Sequence, residues 1–356
     1  MSTTGIACGC LHGILPRMTT LTSPHDLLAA IPFLIGYHPS DSLVIVSLKE
    51  ETIGMAMRVD YPSLNNEAGE GQAYAALISH LVQAGAQGAL VVAYAPADRN
   101  DGDEILQKIA TALSNVDIPL RESLLIWQGR WRSVLCSETN CCPKTGRELP
   151  EIATSRIAVE QVAQGRPMPF EDLEGLADSI ASLPLANDEN FRTTVSEHRI
   201  DPLSPTLQLA QRECAVAVID LASRFIAGSI GRDIDEDQEL SARVIAGVSD
   251  IQVRDFALGS HDGATVDIYW AMWRYLTRIA PSGYVAPLAC LLAALSYERG
   301  EGALAQRSLD RALSEDPAYS LATLLRRVFS AGWPPESFAA MRKDLHPKVC
   351  AGIFEG

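Results

Sequence analysis

Residues 21–48, LTSPHDLLAAIPFLIGYHPSDSLVIVSL, constrain this chain more than any other stretch. Ser23 has the side chain of an N-cap, Pro24 suits the first helical position, and Asp26 puts a carboxylate at the positive end of the helix dipole. Leu27, Leu28 and Ile31 give the segment one apolar face. Pro32 disfavours helix at the residue before it and is expected to end the first segment. Gly36-Tyr37-His38-Pro39 is then a cluster of breakers, Ser40-Asp41-Ser42 a polar lead-in, and Leu43-Val44-Ile45-Val46 a run apolar on both faces, the pattern of a central strand. A capped helix, a turn and a buried strand in that order call for a sheet with helices laid against it.

The alternation continues. Lys49-Glu50-Glu51 reads as a turn into a strand over 52–60, then a helix over 72–84 and a buried strand over 89–94. Ile105, Leu106, Ile109, Ala112 and Leu113 mark a helix over 103–114, and residues 123–127 and 130–135 form a hairpin about Gln128-Gly129. After residue 151 the strand signals stop. Helices are expected over 155–164 and 171–182, a polar connection over Pro184–Pro205, a long apolar helix over 206–230, and helix almost throughout the rest of the chain.

The opening is similar to that of a large family of uncharacterised actinobacterial proteins defined as a domain of unknown function. The shared order is a Pro-containing helix start, Gly-aromatic-X-Pro, Asp-Ser and a hydrophobic strand, and the family also has a cysteine-rich turn with Pro and Gly after it, here Pro143 and Gly146. The resemblance covers most of residues 21–335 and implies a fold without implying a reaction. Residues 286–319 resemble one tetratricopeptide repeat: Leu292, Ala293, Gly300, Ala305, Leu309, Ala312 and Pro317 fall in register, while Ala289 and Ser296 replace the usual aromatics.

The expected architecture is an α/β N-terminal domain, a mixed sheet with helices, over 21–182; a linker over 183–205; and an all-α, tetratricopeptide-like helical domain over 206–356. At 356 residues, two domains match the length. Residues 1–20 read as a disordered extension or a mis-assigned start, with Met18 the alternative initiator and no signal-peptide pattern ahead of it.

Net charge is −15 with no basic footprint, which argues against nucleic acid and anionic membrane surfaces as partners. No apolar run reaches the length of a membrane span, and the cysteines after Met18 fit a reducing cytoplasm.

Chemistry concentrates in Cys136-x4-Cys141-Cys142-Pro143. Three thiols so close in sequence are candidate ligands for a soft metal such as zinc, or a redox group whose pKa Lys144 and Arg147 would lower. They also suit plain buried thiols. No CxxC or HxxxH partner supplies a fourth ligand, and adjacent cysteines in extended chain point opposite ways.

A second candidate is a ligand pocket at His38, Asp41 and Ser42, where the Gly36–Ser42 turn meets the sheet, against the blander reading of turn-capping residues. A third is an interaction surface made by Trp127, Arg130, Trp131 and Arg132 on the hairpin together with Tyr297, against a sheet-stabilising role for the aromatics. Asp233, Asp235 and Asp237 mimic a calcium loop, but Gln238 and Val244 stand where glycine and the last acidic ligand belong, so a solvated helix start is expected. No P-loop, GxSxG or HExxH motif is present. The leading expectation is a cytosolic non-catalytic binding or regulatory protein that contacts another protein through its helical domain. A thiol-based metal or redox protein and a small-molecule enzyme are the alternatives.

Overall fold

The computed structural model describes residues 7–9, 21–50, 52–63, 67–228, 230 and 234–355. They divide into two compact units, the first built on residues up to Leu176 together with Gly300–Ala303 and Ser330–Gly332, and the second on the other residues from Ala177 onward. The expectation for residues 1–20 lies outside the described residues except at Ala7–Gly9.

The first unit is a mixed sheet with helices. Its strands are β1 (Ala7–Gly9), β2 (Ser42–Lys49), β3 (Thr52–Asp60), β4 (Gly88–Tyr94), β5 (Leu120–Trp127), β6 (Arg130–Ser133) and β7 (Arg147–Glu148), in the order β1-β3-β2-β4-β5-β6-β7. Every pairing is antiparallel except β4 with β5, which helix α3 (Gly102–Ser114) connects.

Period-two alternation sorts the strand side chains to two faces. Leu43, Ile45, Met55, Met57, Val59, Ala89, Val91, Ala93 and Leu125 turn to one face, where Leu77 and Leu81 of helix α2 (Glu67–Gln83) and Ile105, Leu106, Ile109 and Leu113 of α3 close the core over them. Val44, Val46, Ala56 and Val92 are buried on the other face.

Helix α1 (Pro24–Ile35) starts as its sequence demands: Ser23 Oγ accepts the Asp26 N–H at 3.2 Å. It does not stop at Pro32. The helix runs on to Ile35 and closes at Gly36, whose N–H bonds to the Pro32 carbonyl at 2.8 Å with φ +90. Proline's ring forfeits one hydrogen bond of the ladder, and burial of the whole run Leu27–Ile35 outweighs that loss, so the left-handed glycine sets the end. Ala29 and Ala30 pack on Ile157 of helix α4 (Arg156–Ala163). The helix expected over 171–182 shortens to α5 (Leu173–Asp178).

The second unit is helical: α6 (Glu189–Glu197), α7 (Leu207–Ile226), α8 (Ile234–Gly247), α9 (Ile251–Gly259), α10 (Val266–Ile279), α11 (Val285–Glu298), α12 (Gly302–Glu315), α13 (Ser320–Ser330) and α14 (Pro335–Phe354). The stretch over 184–205 is not merely a polar connection. It holds a 3-10 turn at Pro184–Asn187 and then α6, capped by Asp188 accepting the Asn190 and Phe191 N–H groups and anchored by buried Phe191 and Val195. Two apolar residues one turn apart suffice to dock a short helix, which average polarity conceals.

Leu292, Ala293, Ala305, Leu309 and Ala312 are fully buried on α11 and α12, and Gly300 turns between them at φ +76. Ser296 is buried too, accepting the Trp270 indole N–H at 3.0 Å. Asp233 lies outside the described residues, but Asp237 is no solvated residue: it is buried and its carboxylate takes a 2.6 Å hydrogen bond from Arg224. No helix among the described residues is long and apolar enough to cross a membrane.

Candidate metal centre

The three cysteines sit in the connection between β6 and β7. Pairing of Arg130 with Glu148 and of Trp131 with Arg147 closes the two ends of that connection. Inside it, the N–H groups of Cys141 and Cys142 both bond to the Glu138 carbonyl, at 3.0 and 2.7 Å. The segment is therefore a helical turn and not extended chain. Successive side chains around such a turn diverge by about 100° instead of 180°, so Cys141 and Cys142 can share one side with Cys136. The opposition expected for extended chain does not arise.

The sulfurs of Cys136, Cys141 and Cys142 all lie within 4.8 Å of one another. Cys141 is exposed and the other two half-buried. Tetrahedral thiolates on zinc, at roughly 2.3 Å from the metal, stand about 3.8 Å apart, whereas a disulfide requires about 2.05 Å. The three cysteines form no disulfide, and the bound of 4.8 Å admits a shared metal.

Two arginines hold the loop in this shape. Arg147 donates to the Cys141 carbonyl at 2.6 Å and to the Asn140 carbonyl at 3.0 Å, and Arg130 donates to the Thr145 and Gly146 carbonyls, each at 2.8 Å. Gly146 has φ +72, and a Cβ there would stand 3.0 Å from the Trp131 carbonyl. The Arg147 guanidinium is engaged with these backbone carbonyls. Burial pushes the Cys142 thiol up; a hydrogen bond from the Ser133 backbone opposes this, and the neighbouring Cys136 and Cys141 thiols add to it. That direction is the reverse of what an activated redox thiolate needs.

The other candidates do not assemble as expected. Asp41, at φ +42, lines an open hollow with Arg58, Asp60, Tyr61 and Arg99, but neither His38 nor Ser42 reaches it. Ser42 is wholly buried on β2, and the His38 N–H is spent on the Phe170 carbonyl at 2.9 Å while burial lowers the pKa of its ring.

The hairpin splits by the pleat. Trp127 is 39% exposed on the α3 side with Arg130 and Arg132, whereas Trp131, on the opposite face, is 4% exposed and meets the His25 ring edge-on at 5.0 Å. Trp131 therefore belongs to the core and not to a surface. Tyr297 is a correction as well. It is 1% exposed, stacked on Phe329 at 3.9 Å and set edge-on to Phe338, with its hydroxyl donating to the Trp333 carbonyl.

Sequence reasoning missed a buried polar group in the helical unit. Arg342 grips both oxygens of Glu298 at 2.7 and 3.2 Å, and His261 Nε2 lies 3.0 Å from the same carboxylate. Burial alone would raise the Glu298 pKa, but the His261 and Arg342 contacts outweigh it and hold the carboxyl below its usual range. The three residues are too far apart in sequence to signal one another.

Neither the curated proteins nor the solved structures include a match to this chain. A family model does match over residues 24–336, nearly the whole of both units. The chain belongs to that family, DUF4192, a domain of unknown function.

Proposed function

We propose that this is a thiolate metal-binding protein in which Cys136, Cys141 and Cys142 hold one soft divalent ion, zinc by the chemistry of the donor set. The observation that carries the reading is the convergence of the three sulfurs within 4.8 Å inside a turn braced by Arg147 and Arg130. Sulfur-only donors select soft metals, and three protein ligands leave one tetrahedral position for a further group. Thiolate ligands persist only where thiols stay reduced, so the reading includes a cytoplasmic location.

Native mass spectrometry of the reduced full chain, set against its denatured mass, tests this. One zinc per chain is expected, absent after Cys136→Ser, Cys141→Ser and Cys142→Ser together. A metal-free wild type that also fails to bind added zinc, or a variant that keeps the metal, defeats the proposal.

A second reading concerns the helical unit. Leu209, Val216, Ile219 and Ile226 are exposed on α7 at heptad spacing, a stripe suited to a helix of another protein. It supports the protein-contact role that the tetratricopeptide-like pattern suggests. Val216→Glu with Ile219→Glu should release any protein that co-purifies with the wild type; equal retention would remove this reading.

A further inference from the structure

The carboxyl ends of the parallel pair β4 and β5 open on a cavity of about 190 Å³ that contains none of the three cysteines. Side chains from three segments surround it: Arg99 from the loop after β4, Trp127, Arg130 and Arg132 from the β5–β6 hairpin, and Lys144 from the turn before β7. Asp103 is the single acid on its wall. Arg99 is paired with Asp101 and Arg130 reaches Glu148 at 3.9 Å, so Arg132 and Lys144 are the cations the cavity offers to a ligand.

The start of α3 forms the floor, because Gly102 lets it approach β5: a Cβ there would sit 2.4 Å from Leu125 Cδ1. The α3 N-cap, Asp101, makes no capping bond with its side chain, which is turned instead to Arg99 and to the Tyr61 hydroxyl. The first N–H groups of a helix with no side-chain cap attract an anion.

The cations differ in how firmly they are held. Arg132 is paired with both oxygens of Asp103 at 2.5 Å, a carboxylate that is more than half exposed. Lys144 is exposed and makes no ion pair among the described residues. Trp127 presents an accessible ring at the rim.

We infer that this cavity binds the phosphate group of a small phosphorylated molecule, with Arg132 and Lys144 as its principal contacts and Trp127 flanking the remainder of the ligand. Guanidinium forks match phosphate oxygens, and a phosphate monoester brings about two negative charges where a carboxylate brings one. The volume is below the ~300–1,000 Å³ of pockets that enclose whole ligands, so the cavity takes the head group and leaves the remainder against the indole.

Calorimetric titration of the full chain with inorganic phosphate, a nucleoside monophosphate and citrate, at constant ionic strength, tests the inference. The expected result is saturable binding of both phosphates and not of citrate, tighter for the nucleotide. Binding should weaken roughly tenfold or more in Arg132→Gln. Lys144→Gln, which breaks no ion pair within the fold, should weaken it severalfold and reduce its salt dependence.

Undetectable phosphate binding, equal binding of citrate, or unchanged affinity in folded Lys144→Gln would overturn the assignment. Neither variant touches a cysteine, and metal content read by native mass in the same samples separates this failure from failure of the metal reading.

Discussion

Arg147 shows how much a single side chain contributes to the cysteine turn. Its two hydrogen bonds to the Asn140 and Cys141 carbonyls brace the turn in which the three sulfurs converge, the site of the proposed metal. Arg147→Ala should therefore lower metal affinity by about 10–100-fold while leaving all three ligands in place. Competition against a chelator of known affinity measures this; an unchanged constant would mean that the loop needs no brace. Gly102 offers a second single-residue test. Adding one methyl drives Cβ into Leu125 Cδ1, so Gly102→Ala should cost about 1–3 kcal/mol in urea unfolding.

At the level of elements, α11 and α14 are joined by the Glu298–Arg342 pair. Arg342→Met leaves the Glu298 carboxylate with His261 alone and should destabilise the helical unit by about 3–5 kcal/mol, the usual consequence of removing one partner of a buried pair. The acid response has its origin in two shifts of the same sign. Glu298 is held below its ordinary pKa, so its contribution is complete above about pH 4.3, the unfolded value, and is lost as pH falls through the folded one. His346 on α14 is also lowered, by burial first and then by the charges of Arg342 and His261. Its neutral form is the one accommodated, so its contribution begins to fall below about pH 6.5. Hydrogen exchange at the α11 and α14 amides should accelerate in two steps on acidification. His346→Gln should remove the upper step and Glu298→Gln the lower; a single step unaffected by either would contradict the assignment.

For the whole molecule, metal occupancy should show itself as stability. Free zinc at 100 times its dissociation constant should add about 2.7 kcal/mol to unfolding of the sheet unit, by mass action alone. Calorimetry on wild type and Cys136→Ser, each with metal and with chelator, checks this. A metal-dependent shift that survives Cys136→Ser would place the ion elsewhere.

The α/β-then-helical order of the chain was legible from residue patterns, because each element advertises itself over a few neighbours. Ser23 caps α1, continuous apolar runs make β2 and β4, and Gln128-Gly129, at φ 50 and 75, makes the hairpin turn. These are local preferences of backbone and pattern, so composition and spacing determined them. Tertiary structure decided what depends on company. Burial carried α1 through Pro32, Phe191 docked a helix in a polar stretch, and the pleat sent Trp131 inward and Trp127 outward. Aromatic stacking took Tyr297 into the core, and a turn closed on Glu138 brought together three thiols that extended chain would have separated. Spacing alone could name those cysteines as candidates. Their convergence, like that of Arg99, Arg132 and Lys144 around one cavity, depends on the directions in which side chains leave a folded backbone, and those directions exist only once distant segments have packed.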